Sequence, residues 1–299
     1  MTTTPSTPAR NKLLIGLIGA GIQRSLTPAM QEEEARAQGL RLHYQLIDLD
    51  FNGASAADLP DLLKAARIMG YAGLNITYPC KQAVIPLLDE LSDEARAMGA
   101  VNTVAIRDGK LVGHNTDGSG WARGFTRALP DADLSRAVLL GAGGAGAAIA
   151  HAALRLVGVK QLTVIDVDPA RAAALAAELN RLYATPAAPR ARAGVDIAAA
   201  MADATGLIHA TPTGMDKLPG LPLPAELLHG GLWVSEVVYF PLETALLKTA
   251  RALGCRISDG GGMAVGQAIG AFEHFTGLSA DPARMDAHFR ALVNARSGG

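Results

Sequence analysis

Apolar and polar positions fall into short blocks that change character every ten or so residues. "LLIGLIG" (13–19) is a wholly apolar run ending at glycine, the pattern of a short buried strand. "TPAMQEEEARAQG" (27–39) then predicts a helix, with Thr27 as N-cap, Pro28 at the first helical position and Gly39 as the stop. "LHYQLIDL" (42–49) predicts a second strand and "DLPDLLKAARIMG" (58–70) a second helix, closed by Gly70. The strand "AGLNIT" (72–77) and the helix "KQAVIPLLDEL" (81–91) follow. Strands alternating with helices imply βαβ units and a mostly parallel sheet.

Residues 100–121, "AVNTVAIRDGKLVGHNTDGSGW", break that rhythm: two strands, "NTVAIRD" and "KLVGHN", meet at Asp108-Gly109, a hairpin signal. Near Gly118–Gly120 the alternation restarts. "RAVLLGAGGAGAAIAHAALRL" (136–156) is strand, glycine turn and helix, and "QLTVIDVD" (161–168) is the next strand. An Ala-rich helix, a polar stretch and the short strands "GLIHAT", "LWVSEVV" and "CRISD" come next, and "GGMAVGQAIGAFEHFTG" (261–277) and onward is helical. There is no internal repeat. The expected fold class is α/β with two α/β domains, one over 12–118 plus 263–299 and one over 119–262. The apolar C-terminal helix is expected to return to the first domain, and residues 1–11, rich in Thr and Pro, to form a loose tail.

Composition narrows the function. The 299 residues are 49% apolar, enough for a sizeable core, and Lys+Arg 27 against Asp+Glu 28 leaves a net charge of −1 with no long run of either sign. Electrostatic capture of nucleic acid or of an anionic membrane is therefore not expected. Cys80 and Cys255 are the only cysteines, without C-x-x-C spacing, and the seven histidines show no H-x-x-x-H spacing, so neither disulfides nor a metal site is expected. The N-terminus lacks the order of a signal peptide and no segment reaches the ~20 apolar residues of a membrane span. The expectation is a cytoplasmic protein, monomer or homodimer.

Gly141, Gly143 and Gly146 form G-x-G-x-x-G directly after an apolar strand and before a helix, and a second strand ends in Asp166. Glycine makes the turn, lets backbone amides approach a pyrophosphate, and lets helix and strand pack closely; an acidic residue ~20 positions on accepts the adenosine ribose hydroxyls. In "IDVDPARA" a 2′-phosphate would meet carboxylates at Asp166 and Asp168, with Arg171 the only nearby cation, itself explicable as a solvated helix charge. Like charges ~4 Å apart repel by ~4 kcal/mol at an effective dielectric of 20, so NAD is favoured over NADP. Elsewhere, "GLNITYPCKQAV" (73–84) places Asn75, Thr77 and Lys81 where a plain core segment would be apolar. Taken alone, Lys81 reads better as an ordinary solvated charge in a first helical turn. Cys80 reads as a small buried thiol, His114 as a hairpin residue, and Met263 and Phe272 as packing residues.

With "SLTPAM", "NITYPCK", "GAVNTV", "GHNTDGSG", "GAGGAG", "ATPTGM", "VVYFPLETALL" and "GGGMAVGQAIGAFEHFTG" in this order, the chain from about residue 13 to residue 277 resembles the shikimate/quinate dehydrogenase family. The resemblance implies reversible oxidation of a ring hydroxyl of quinate or shikimate, with hydride transfer to a nicotinamide cofactor. It also makes 12–118 plus 263–299 an N-terminal substrate domain with a mostly parallel sheet, and 119–262 a Rossmann-type dinucleotide-binding domain. Lys81 and Asp117 match the family's lysine and aspartate either side of the reacting hydroxyl, Lys81 as acid/base. Ser25 and Thr27 match the hydroxyls that hold the substrate carboxylate, and Asn75, Thr77 and Asn102 the substrate hydrogen-bonding positions. Tyr239 and Gln267 match positions closing over the substrate. Gly141, Gly143, Gly144, Ala145, Gly146, Asp166, Asp168, Arg171, Thr211 and Gly260 are the implied cofactor-binding positions. NADP-dependent shikimate dehydrogenases usually carry Asn-Arg-Thr where this chain has Asp166-Val167-Asp168, and Thr27 resembles the forms that also accept quinate. The leading expectation is an NAD-dependent quinate/shikimate dehydrogenase. Its alternatives are an NADP-dependent shikimate dehydrogenase of aromatic amino acid biosynthesis, an aminoshikimate dehydrogenase, or a non-catalytic ligand-binding regulator.

Overall fold

The structure, a computed structural model, describes residues 12–184 and 188–297, the last of these by its backbone only. The expected tail at 1–11 lies outside the described residues. The chain divides into two compact units, Met1–His114 with Ala271–Met285, and Asn115–Gly270 with Asp286–Gly299.

In the first unit β1 (Lys12–Gly19), α1 (Thr27–Ala37), β2 (Arg41–Asp48), α2 (Leu49–Asn52), α3 (Leu59–Met69), β3 (Gly73–Ile76), α4 (Cys80–Ala83), β4 (Glu90–Leu91), α5 (Asp93–Met98), β5 (Thr103–Arg107) and β6 (Lys110–His114) follow in order. The sheet runs β2-β1-β3-β5-β6-β4. Its first three strands are parallel, and β5 is antiparallel to both β3 and β6. The β5–β6 hairpin turns at Asp108 and Gly109, both at positive φ (50° and 78°) as a two-residue turn matching strand twist requires. Ile18, Leu74, Ile76 and Val104 bury one face of the sheet beneath Leu59, Leu63 and Val84. Ile15, Leu17 and Tyr44 bury the other against Ala271 and Phe275, so residues 271–285 pack with this unit.

Two local expectations change. Leu26, not Thr27, occupies the N-cap of α1, because Met30 N–H already closes on the Leu26 carbonyl; Thr27 is the first helical residue and Pro28 the second. The helix expected over 81–91 stops after α4. Pro86 has no N–H to continue an i→i−4 ladder, so the chain tightens to a 3₁₀ turn at Ile85–Leu87 and then joins β6 as β4.

The second unit contains α6 (Asp117–Ala128), β7 (Arg136–Leu140), α7 (Gly144–Ala152), β8 (Gln161–Ile165), α8 (Pro169–Tyr183), β9 (Ala191–Ala193), α9 (Ile197–Met201), β10 (Gly206–His209), β11 (Trp233–Glu236), α10 (Ala245–Ala252) and β12 (Arg256–Ser258). All six strands are parallel, in the order β12-β11-β10-β7-β8-β9. Alternate residues of β7 serve opposite cores: Ala137 and Leu139 pack with Ile149, Leu175 and Phe125, while Val138 and Leu140 pack with Met201, Leu207 and Leu246. That two-sided burial explains why its strands read as unbroken apolar runs. The order reverses between β7 and β10, which opens a crevice at the carboxyl ends of those strands. Two helices complete the chain, α11 (Gly260–Thr276) and α12 (Pro282–Ser297).

Candidate active site and dinucleotide site

In the first unit the carboxyl ends of β1 and β3 share an edge with the start of β5, because Ile18 pairs with Ile76 and Asn75 with Thr103. The segments carrying Ser25 and Thr27, Thr77 and Lys81, and Asn102 therefore leave the sheet together. Backbone bonds stitch them: Thr77 N–H donates to the Ile18 carbonyl (2.9 Å), Ala20 N–H to Tyr78 (2.9 Å), and Val101 N–H to the Lys81 carbonyl (2.9 Å). Ser25 Oγ accepts the Thr27 N–H (3.3 Å), putting both hydroxyls at the N-terminus of α1, where the helix dipole favours an anion.

Asp48, which the sequence reading passed over, holds this edge in place. Its buried carboxylate accepts the Gly21 and Ile22 amides and the Gln23 side-chain amide, each at 3.0 Å, and so shapes the turn leading to Ser25. Burial pushes its carboxyl up, but the Gln23, Gly21 and Ile22 donors outweigh it and hold the group below the usual range. Tyr44 and Thr103 were passed over too. Asn75 Oδ1 accepts the Tyr44 hydroxyl (2.8 Å), and its Nδ2 donates to the Asn102 carbonyl (3.2 Å) and to Thr103 Oγ1 (3.1 Å). Thr103 passes its own hydrogen to Asn102 Oδ1 (2.9 Å). Both N–H groups of Asn75 are thus committed within the protein, leaving one Oδ1 lone pair for any ligand. Cys80 is fully buried and its thiol is pushed up by desolvation, an inert state.

In the second unit Asp117 is the first residue of α6 and is 4% exposed. Gln267 is tied to the same place, since Thr116 Oγ1 donates to the Gln267 carbonyl (3.2 Å). The approach is close because α6 and α11 cross at glycines: a Cβ on Gly120 would stand 2.4 Å from Gln267 N, and one on Gly266 would stand 2.2 Å from the Gly120 carbonyl oxygen. Tyr239 follows β11, partly exposed, its ring 4.9 Å from Phe240 and 6.4 Å from Phe289.

The glycine turn sits at the crevice. Gly141 has φ 101°, and a Cβ there would press on the Ala210 carbonyl (2.7 Å). A Cβ on Gly146 would lie 2.0 Å from the Gly141 carbonyl oxygen, the close helix–strand packing expected of the third glycine. A Cβ on Gly143 or Gly144 would meet nothing within 4 Å, so nothing around them in the protein requires glycine there. Open space in front of the α7 N-terminus, with Ala145 in its first turn, fits a pyrophosphate approaching the backbone amides. Asp166 Oδ2 accepts Ala142 N–H (2.7 Å) and Oδ1 accepts Asp168 N–H (2.9 Å). Burial raises its carboxyl, but those two amides and Arg171 bring it below its ordinary value. Oδ1 also accepts from the Arg171 guanidinium (3.5 Å), so the lone pair left for a ribose hydroxyl is on Oδ2. Asp168 caps α8 through Ala170 and Arg171 amides, and Arg171 is shared between Asp166 (3.5 Å) and Asp168 (3.7 Å). Thr211 follows β10, its methyl 3.1 Å from the Cβ position of Gly141, and Gly260 abuts the Val237 and Val238 carbonyls where any Cβ would clash. Among the described residues no group of three His, Cys, Asp or Glu is placed to hold a metal ion, and no helix is long and apolar enough to cross a membrane.

Known proteins share this fold. A family model described as "Shikimate dehydrogenase substrate binding domain" matches residues 17–104. "Shikimate dehydrogenase (NADP(+))" of Streptomyces avermitilis is 57% identical over 95% of this chain and 97% of its own length. "Quinate/shikimate dehydrogenase (NAD(+))" of Corynebacterium efficiens is 50% identical over 94% and 99%. The solved structure of quinate dehydrogenase from Corynebacterium glutamicum in complex with NAD superimposes with a TM-score of 0.88 at 47% identity, covering 94% of this chain and 99% of that one. With identity at this level along nearly its whole length, the chain belongs to the shikimate/quinate dehydrogenase family.

Proposed function

We propose that the protein is an NAD-dependent quinate/shikimate dehydrogenase. The observation that carries this reading is the gathering of two hydroxyls at a helix start, Thr77, Lys81 and Asn102 on one sheet edge in a member of that family. Ser25, Thr27 and the α1 N-terminus suit the ring carboxylate. Thr77, Asn102 and the remaining lone pair of Asn75 suit ring hydroxyls, and a wrong ring that left such groups unpaired would lose ~1–3 kcal/mol for each. Tyr239 and Gln267 are assigned to closing over the ring, on the family's pattern. When bound, the nicotinamide cofactor supplies a two-electron acceptor. In oxidation the carbinol C–H leaves with its electron pair as hydride, the O–H proton passes to Lys81 Nζ, and the C=O bond forms. In reduction the Lys81 ammonium returns the proton. Asp117 corresponds to the carboxylate that the family pairs with this lysine.

The charge pattern after β8 supports NAD. A 2′-phosphate would face two carboxylates that already share the one guanidinium of Arg171, and Val167 stands fully exposed where the NADP pattern has arginine. One observation favours NADP instead: the relative at 57% identity is named for it. Initial rates of NAD and NADP reduction, each with quinate and with shikimate, decide both questions. The expected result is turnover of a ring acid with NAD at a kcat/KM at least tenfold above that with NADP. Turnover with NADP alone would install the second reading. No turnover with either ring acid would leave an aminoshikimate dehydrogenase or a non-catalytic regulator.

A further inference from the structure

At the carboxyl ends of β10 and β11 the buried side chains of His209 and Glu236, which have no part in the reading above, lead to Thr211. His209 and Glu236 are fully buried side by side, Nδ1 of the ring 2.8 Å from Glu236 Oε1. The other ring nitrogen, Nε2, lies 2.6 Å from Thr211 Oγ1. Glu236 Oε1 also accepts the Val237 and Val238 amides (2.8 and 3.0 Å), and Oε2 accepts the Thr244 hydroxyl (2.9 Å). A carboxylate accepting from every neighbour requires the hydrogen on His209 Nδ1, so in the neutral ring Nε2 is the acceptor and the Thr211 hydroxyl hydrogen points at it. Thr213 N–H takes one lone pair of Thr211 Oγ1 (3.3 Å). What Thr211 has left to offer is a single lone pair beside the glycine turn.

A dinucleotide with its pyrophosphate at α7 and its adenosine toward Asp166, just after β8, extends its other half over β10 and β11. We infer that Glu236 and His209 are positioning residues that make Thr211 a hydrogen-bond acceptor for the carboxamide N–H of the cofactor's nicotinamide ring, the part of the dinucleotide that ADP-ribose lacks. The inference rests on the cofactor reading above but not on which ring acid is oxidised. Binding is measured without ring acid, using NADH by fluorescence and ADP-ribose by calorimetry. Thr211→Val weakens NADH by about five- to tenfold, the loss of one hydrogen bond, and leaves ADP-ribose within about twofold; Thr211→Ser restores NADH affinity. His209→Leu weakens NADH alone but adds nothing in the Thr211→Val background, since it acts only through that hydroxyl. Thr211→Val binding NADH like the wild type, or losing ADP-ribose equally, overturns the inference, and so does an additive effect of His209→Leu. Should His209→Leu fail to fold, the Val and Ser variants at 211 still decide it. A wild-type protein that binds ADP-ribose but not NADH would instead overturn the cofactor reading.

Discussion

Lys81 stands on a single helical turn, its carbonyl pinned by the Val101 amide and its neighbour Cys80 buried, so its backbone is held in place. Replacing it with alanine is expected to leave NAD affinity nearly intact and to cut turnover at least about a hundredfold, the range for lost acid–base catalysis. Steady-state kinetics beside a cofactor titration check this, and near-normal turnover would take the lysine out of the mechanism. After β8, the variant Asp166→Asn combined with Val167→Arg removes one carboxylate and adds a guanidinium at the exposed position. Its ratio of kcat/KM for NADP over NAD is expected to rise by at least about tenfold, one screened charge contact being worth ~1–2 kcal/mol. An unchanged ratio would show that charge at this turn does not select the cofactor.

Between elements, close approach and buried charge do most of the positioning. The α6–α11 crossing holds Asp117 and Gln267 at one place only because neither helix has a Cβ at contact. Gly266→Ala would drive a methyl into the Gly120 backbone and is expected to cost about 3 kcal/mol or prevent folding; unfolding in urea reads the loss, and a variant as stable as the wild type would mean that the helices separate without cost. On the first unit, Glu34 is fully buried at its side chain and bonds Arg284 through both oxygens (2.7 and 2.8 Å), with the Asp281 amide and Gln38 as further donors. This ties the start of α12 to α1. Glu34→Ala removes the buried acceptor of the Arg284, Gln38 and Asp281 N–H groups, while Arg284 keeps Asp281 (3.4 Å), and is expected to lower stability by about 1–3 kcal/mol. A double variant with Arg284→Met should recover part of that loss, which a purely steric defect at 34 would not allow.

For the molecule as a whole, acid sensitivity follows from two kinds of group. His114 stacks on His274 with ring centroids 3.8 Å apart, and burial, then His274 and Arg107, push it down to about 4 from an ordinary 6.5. Between those values the unfolded chain binds more protons than the folded one, so stability rises with pH there and is lost as pH falls from 6.5 to 4. The half-exposed ring limits this to about 1–2 kcal/mol after screening. Glu34 is held below its usual value, since Arg284, Asp281 and Gln38 outweigh the upward push of burial, so its contribution is present above 4.5 and disappears as pH drops further. Thermal unfolding at pH 7, 5.5 and 4 is expected to show a falling Tm, with a shallower slope for His114→Asn; equal slopes would remove His114 from the acid response. The sequence by itself determined what depends on near neighbours. The glycine turn with Asp166, the Asp108-Gly109 hairpin and the glycine stops of α1 and α3 all act within one turn or one βαβ unit, where backbone geometry permits few alternatives. Only the tertiary structure decided how the polar groups are used. Asn75 is committed to Tyr44, 31 residues away, and His209 to Glu236, 27 residues away. The early break of the 81–91 helix likewise became a strand only because β6 was there to pair with it. A buried polar group is satisfied by whatever packs against it, and packing partners distant in the chain leave no local periodicity to read.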